Sequence, residues 1–338
     1  MSAPPTISVV IPTLNAERLL GECLDAVLTQ DWPREGLEVL LIDAGSTDRT
    51  LSIARSRGVD RVLENPLKTA EAGKAVGVRA ACGDLLLLLD SDNVLTGTDW
   101  LRRMTAPFAD ADVLGAEPMR WDYAGARGVI NRWHALSGVA DPVSLYVGNY
   151  CRDSLVTGRW TDLPHRCESR DGWDRIELEP DSVPVFGANG FMIRRSVLGS
   201  VTFGEYYFDL DQVHDLVSAG HRIVARVDVA IRHDFCEDVA GYVRKTRRRA
   251  DDFFFFSSQG QRSYPWTAQR KLGLLRFVAS TVLVVPLMAD VVRGWRRQPD
   301  PAWLFHVPAC LIALYVYGAA TVRGRLAPRA MDRTGWRQ

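Results

Sequence analysis

The chain lacks a net charge: its 41 basic and 41 acidic residues cancel to a formal +0. That balance argues against a protein that works by neutralising nucleic-acid phosphates. It also lacks any Cys-x-x-Cys pair, since Cys23, Cys82, Cys151, Cys167, Cys236 and Cys310 are scattered singly. They read as small buried apolar residues in a reducing compartment, rather than as zinc ligands or a disulfide framework. His165 near Cys167 has nothing close by to complete a metal site, and both are read as structural. Met1 to Thr6 is too short and too polar for a secretory leader, so none is expected. No internal repeat, Gly-x-Gly-x-x-Gly loop or Ser/His/Asp nucleophile arrangement is found. What the chain has is size: 338 residues at 47% hydrophobic content exceed one average domain and can bury a large core.

The most informative stretch is Gly83-Asp84 followed by five leucines and Asp90-Ser91-Asp92. A continuous leucine run reads as a strand buried on both faces, as in a parallel sheet. Such a strand delivers the residues after it to the carboxyl edge, where open α/β folds bind ligands. Two carboxylates bracketing a small residue suit Mg²⁺ or Mn²⁺, with substrate phosphate oxygens completing the shell. Taken alone, the same residues also read as an Asx-rich turn closing a strand. Two further strands end alike. Ile7–Ile11 runs into Pro12-Thr13-Leu14-Asn15, and Leu37–Ile42 into Asp43-Ala44-Gly45-Ser46-Thr47-Asp48. Helical periodicity over Ala16–Gln30 and about Arg49–Arg57 separates them. Gly45 permits close backbone approach there. The result is a Rossmann-like β-α-β-α-β half with its functional edge marked three times.

These motifs resemble the family 2 inverting glycosyltransferases. The resemblance rests on Val9–Glu17, Gln30, Ile42–Thr50, Gly83-Asp84 and Asp90-Ser91-Asp92. It continues through Gly187-Ala188-Asn189 and Phe208-Asp209-Leu210-Asp211, covering roughly residues 6 to 250. It implies a GT-A fold, α/β, with a Rossmann-like, mainly parallel mixed sheet flanked by helices, and C-terminal hydrophobic helices besides. It places Pro12, Thr13, Asn15, Glu17, Asp43, Gly45, Lys74 and Asp90 on the donor side, and Asn189, Asp211 and Arg248 on the acceptor side. Asp90, Asp92 and His233 become the metal set for Mg²⁺ or Mn²⁺, and Asp209 the catalytic base. Three positions depart from the family pattern. Ala44 stands where a second acid is common, Phe208 replaces the first acid of an acidic pair, and Lys74-Ala75 replaces an Asn. They bear on the sugar donor more than on the reaction type.

The implied activity is metal-dependent inverting transfer from a UDP- or GDP-sugar to a hydroxyl or phosphate of a lipid-linked or glycan acceptor. A nucleotidyltransferase would share the sheet and the metal carboxylates. It would also need a Gly-rich, Lys/Arg-bearing loop after the first strand, which Pro12-Thr13-Leu14-Asn15 is not. A non-catalytic nucleotide-sugar-binding relative would not need Asp90, Asp92 and Asp209. The expected division is a catalytic domain over 1–265, with a nucleotide-sugar-binding half 1–115 and an acceptor-binding half 116–265, then a membrane-associated hairpin and basic tail over 266–338.

Two C-terminal runs are apolar, Phe277–Ala289 and Trp303–Ala320, the second long enough to span a bilayer. Arginines are denser outside the pair than between the runs, so the expectation is a hairpin with both ends and the catalytic domain on the cytoplasmic side of the cell membrane. Two soluble helices packed on the catalytic domain are the alternative. Phe253–Phe256 beside the basic run favours the membrane, since four exposed phenylalanines would be costly in water. Region 116–184 is rich in Trp and Tyr, which suits either sugar platforms in an acceptor-binding insertion or ordinary core filling.

Overall fold

Uninterrupted apolar runs set the centre of the sheet. The computed structural model describes residues 4–150, 152–187, 189–265 and 271–326. Ten strands among them form one sheet: β1 (Ile7–Thr13), β2 (Leu37–Asp43), β3 (Arg61–Glu64), β4 (Leu85–Leu88), β5 (Asn93–Leu95), β6 (Val113–Trp121), β7 (Arg166–Arg170), β8 (Trp173–Glu177), β9 (Phe191–Arg194) and β10 (Ile223–His233). The order is β3-β2-β1-β4-β9-β6-β10-β8-β7, with β5 paired to β10. The β3-β2-β1-β4 part is parallel, and β9 joins β4 antiparallel. Val9, Val10, Ile11 and all of Leu85–Leu88 are buried, each apolar side chain contributing roughly 1.5–3 kcal/mol of transfer free energy. The mixed α/β sheet with its parallel half matches the expected fold class.

The helices of this half are α1 (Leu20–Leu28), α2 (Thr50–Ser56), α3 (Ala70–Ala80) and α4 (Trp100–Thr105). α1 is shorter than the expected Ala16–Gln30, because residues 16 to 19 are drawn into the loop that joins the β1 and β2 ends. Thr69 caps α3 through its hydroxyl, which accepts from the Ala72 amide. Gly77 lets α3 lie close on the sheet: a Cβ there would come 2.3 Å from a Val10 methyl and 2.8 Å from Ile42.

The described chain divides into two compact units. The first runs up to Met119 and resumes over Pro164–His233; the second takes Arg120–Leu163 and the described part of Asp234–Thr334. The compact units therefore do not follow the linear division expected from sequence, since residues 120–163 and 234–265 group with the C-terminal helices. The second unit contains α5 (Gly128–Ser137) and α6 (Val143–Val147). After α7 (Asp209–Ser218) of the first unit come its α8 (Val239–Ser258), α9 (Lys271–Leu283), α10 (Val285–Arg297) and α11 (His306–Leu326).

Aromatics fill the core of the second unit. Trp133 is fully buried, edge-on to Tyr242 at 6.0 Å and to Phe305 at 5.3 Å. Trp121, Tyr150 and Trp160 are buried too, so these members of the aromatic-rich region are packing residues rather than open sugar platforms. Because Trp303, Phe305 and Ala309 share that core, the C-terminal helices are part of the unit and not a detachable appendage.

Three further expectations change. Phe256 is buried and Phe253, Phe254 and Phe255 are half-buried, so the phenylalanine run is no exposed patch and loses its force for a membrane. Among the cysteines, Cys23, Cys236 and Cys310 are buried as expected, but Cys82 and Cys167 are exposed; Cys151 lies outside the described residues. The apolar run Phe277–Ala289 is not one helix. The chain bends by 96° from α9 to α10, because Pro286 cannot continue a helix and instead occupies the first turn of the next. Pro301–Arg323 is long and apolar enough to cross a membrane by length and composition.

Candidate active site

Two loops at the carboxyl ends of β1 and β2 are knitted together by the residues expected to hold the donor. The Asp43 carboxylate accepts from the amides of Gly45 and Ser46, both at 2.9 Å, and from the Ser46 hydroxyl at 2.6 Å. Thr13 donates to it from β1 at 3.3 Å. Asn15, at φ +51, accepts through Oδ1 from the Thr47 amide at 2.9 Å, and its own amide donates to the Ser46 hydroxyl at 2.8 Å. Glu17 accepts from the Arg49 amide and side chain, both at 3.1 Å. Pro12 is in register with Ile42, and Gly45 turns the loop at φ +89, with open space where a side chain would stand. Pro12, Thr13, Asn15, Glu17, Asp43 and Gly45 therefore lie in one edge. Ser46 and Thr47 complete it as hydrogen-bond partners.

Asp43→Ala is expected to weaken nucleotide binding by at least tenfold with acceptor binding unchanged, because it removes the organising acceptor of that loop. Calorimetric titration with UDP and GDP checks this; unchanged affinity would remove Asp43 from the donor site.

The turn after β4 is closed by Asn93. Its Oδ1 accepts from the Asp90 amide at 3.2 Å, and its own amide donates to the Asp90 carbonyl at 3.0 Å. The turn is thus closed through Asn93, a residue the sequence had not singled out. The antiparallel pairing of β5 with β10 sets His233 opposite Asn93. That register brings His233 Nε2 to 3.5 Å from Asp92 Oδ1, with the imidazole largely buried. Asp90 points elsewhere: its Oδ1 lies 3.9 Å from Lys74 Nζ. Cys23 lies beneath the turn, its thiol 3.8 Å from the Asp90 carbonyl and pushed upward in pKa by burial and then by Asp92 and Asp90. No group of three or more His, Cys, Asp or Glu side chains among the described residues is placed to hold a metal ion by itself. Asp92 and His233 make a two-donor set with open positions, which fits a cation that takes the rest of its shell from diphosphate and water.

Lys74 is the junction of the site. Expected on the donor side, it is buried within α3 and donates to Asp209 Oδ2 across 135 residues of sequence. Asp209 is the first residue of α7, with its side chain 15% exposed. Its other oxygen, Oδ1, is buried and has no hydrogen-bond partner among the described residues. Burial raises the Asp209 carboxyl above the ordinary range against the opposing pull of Lys74, and the carboxylates around Lys74 raise its ammonium pKa in spite of burial. The Tyr207 amide donates to the Glu71 carbonyl at 2.9 Å, tying the start of α7 to α3. Gly187 leaves room beside Asp209: a Cβ there would stand 3.3 Å from that of Asp209. Asn189, at φ +62, comes next in the turn whose Gly190 amide donates to Leu88 at 3.0 Å. The Gly187–Asn189 segment thus lies between the end of β4 and Asp209, although Ala188 itself falls outside the described residues. Asp211 is buried in the first turn of α7, two residues after Asp209. Arg248 belongs to the second unit, half-exposed on α8.

Comparison with known proteins gives the same direction. A stretch of 107 residues, 30% of this chain and 35% of the relative, is 33% identical to the glycosyltransferase AglE of Haloferax volcanii. Another of 132 residues, 37% of this chain and 39% of the relative, is 30% identical to a dolichyl N-acetyl-α-D-glucosaminyl phosphate 3-β-D-2,3-diacetamido-2,3-dideoxy-β-D-glucuronosyltransferase of Methanococcus voltae. The chain spans well under half the length of these relatives. In three dimensions it is similar to the mannosyltransferase PcManGT of Pyrobaculum calidifontis, solved with GDP-Man and Mn²⁺. The TM-score is 0.58 at 18% identity, over 96% of this chain and 88% of that one, a likeness of fold. The model of glycosyl transferase family 2 matches residues 8–199, more than half of the chain. The chain belongs to that family.

Proposed function

We propose that the protein transfers a sugar, with inversion, from a UDP- or GDP-sugar to a lipid-linked or glycan acceptor. The catalytic residues are those of the first unit, and the second unit holds the enzyme at the cytoplasmic face of the cell membrane. The observation that carries the reading is Lys74, which touches Asp209 on one side and faces Asp90 on the other. One ammonium group therefore separates the donor-side carboxylate from the proposed base by no more than a side chain's reach. Asp209 takes the proton of the acceptor hydroxyl, the acceptor oxygen bonds to the anomeric carbon, and the bond from that carbon to the diphosphate breaks. A single base opposite the leaving group gives inversion. A divalent cation held by Asp92 and His233, Mg²⁺ or Mn²⁺, would offset the charge gathered on the leaving diphosphate. The pairing of Pro12–Asn15 with Asp43–Thr47 supplies the nucleoside end, and Asn189 and Asp211 lie on the acceptor side. The Methanococcus voltae relative, whose name specifies a dolichyl phosphate-linked substrate, supports a lipid-linked acceptor.

A thermal-unfolding screen of UDP- and GDP-sugars with and without Mn²⁺ tests the donor. The matching donor at one hundred times its Kd should stabilise the protein by about 2.7 kcal/mol, and only with metal present. Failure of every nucleotide sugar to shift unfolding would sink the reading.

A further inference from the structure

Exposed large apolar side chains are concentrated in one stretch of the described residues. Apart from Val62, Val129 and Val239, all of them fall between Leu272 and Val322. The extreme is the elbow between α9 and α10, where Val282, Leu283 and Val285 are 67%, 66% and 76% exposed. The elbow has a fixed form. Val284 stands at φ +61, a conformation that a β-branched residue adopts only under constraint, and Pro286 restarts the helix immediately after it. Charge is kept from the tip. Lys271 opens α9, and exposed Arg293, Arg296 and Arg297 close α10 around exposed Trp295.

We propose that the α9–α10 elbow is a wedge that enters one leaflet of a phospholipid bilayer and leaves on the same side, so that the second unit docks on the membrane without crossing it. This rests on the membrane attachment put forward above.

Length decides against a span. Each arm has 13 residues, about 20 Å of helix, against a hydrocarbon core of about 30 Å. Bent by 96° and set symmetrically about the bilayer normal, the arms carry the tip about 14–15 Å below their ends, the depth of one leaflet's hydrocarbon. The arginines and Trp295 then lie at headgroup level, where both are favoured and where anionic lipid attracts the positive ends. Arg276, partway along α9, reaches the same level by extending its side chain.

α11 passes the length test but is clothed in protein. Val316 and Ala320 pack on Ala250 of α8, and Tyr317 donates to Asp141. Arg323 pairs with Asp251 of α8 at 3.4 Å, and His306 is fully buried 3.8 Å from Asp290. A helix lined by so charged a neighbour has no lipid on that side. Only its outer face, with Leu311, Tyr315 and Val322, is open to one.

The test uses the full-length chain. In flotation with phosphatidylglycerol/phosphatidylcholine vesicles, Leu283→Glu combined with Val285→Glu should bind at least tenfold more weakly, with nucleotide binding unchanged. Sidedness is read with a membrane-impermeant maleimide on sealed membrane vesicles carrying Pro299→Cys, in the exposed link between α10 and α11. The exposed native Cys82 and Cys167 of the first unit serve as references. The wedge requires Pro299→Cys to react on the same face as both. Reaction of Pro299→Cys only after detergent, with Cys82 and Cys167 already labelled, would establish a span and overturn the wedge. Unaltered flotation of the double glutamate variant would also overturn it while leaving membrane attachment standing. A wild-type chain that never floats would remove both.

Discussion

Asp209→Asn is expected to lower kcat by about two to four orders of magnitude, the usual worth of one positioned base, while leaving donor binding intact. The substitution is nearly isosteric, and the amide oxygen still accepts from Lys74 in place of Oδ2. Asp90, 3.9 Å from the same ammonium, continues to balance its charge. The fold should therefore lose less than the roughly 3–5 kcal/mol that breaking a buried ion pair outright costs. Thermal unfolding and UDP titration on the same preparation separate a lost base from a lost fold. Asp211→Asn supplies the contrast. Asp211 is buried two residues on, and the Lys74 ammonium donates to Asp209, so replacing Asp211 should change stability more than rate. A dead Asp211→Asn beside an active Asp209→Asn would move the base by two residues.

The pH profile adds a readout that a structural role would not move. Only the ionised carboxylate can take the acceptor proton, and burial raises the Asp209 pKa against the pull of Lys74. The acid limb of kcat should therefore lie above the ordinary carboxylate range near about 4, with activity rising as pH increases through it. Lys74→Met deletes the group that favours the ionised form, so that limb should move further toward alkaline pH. A limb that stays in place would mean that Lys74 holds the fold and not the base.

The parts of this site that were legible in sequence are those with local patterns. β1, β2 and β4 announce themselves because a parallel strand covered on both faces needs an unbroken apolar run. β3 does not, since Arg61 and Glu64 at the exposed edge carry no such pattern, and β7, exposed throughout, carries even less. Long-range register was illegible. Nothing near His233 says that β5 pairs with β10 and brings the imidazole to Asp92, and nothing near Lys74 says that its partner lies 135 residues away. Lys74 is a donor-side residue by resemblance alone, and its ammonium lies against both the donor-side Asp90 and the proposed base. The aromatic residues left two readings open for another reason. Composition records how much apolar surface Trp133 offers but not which way it faces, and it faces inward. The break at Pro286 is of the same kind, since whether a proline ends an apolar helix or merely kinks it is decided by what the next turn packs against.

Asp92→Ala should abolish measurable turnover, and removal of divalent metal from the wild-type protein should do the same. The supply of donors is narrow. Among the described residues no three candidate ligands come together, and Asp90 faces Lys74 rather than Asp92 and His233. A cation at this site must then draw most of its shell from the diphosphate and water, so metal and nucleotide should bind each other's complex far better than they bind alone. That linkage has three consequences. Mn²⁺ should bind the free protein weakly and the UDP- or GDP-bound protein tightly. Asp92→Ala should remove the gain in nucleotide affinity that Mn²⁺ confers, yet leave metal-free nucleotide affinity nearly unchanged, because the Asp43 loop is intact. His233→Ala should weaken the same gain in part, since one carboxylate remains. Rate tracks charge: without the cation nothing offsets the leaving diphosphate, a loss of at least about two to three orders of magnitude by analogy with the deletion of one transition-state charge contact. Titration of nucleotide into wild-type and Asp92→Ala protein, each with Mn²⁺ and with EDTA, measures all of these. Full activity in excess EDTA, or a Mn²⁺ effect on nucleotide affinity that survives Asp92→Ala, would place the cation elsewhere or dispense with it.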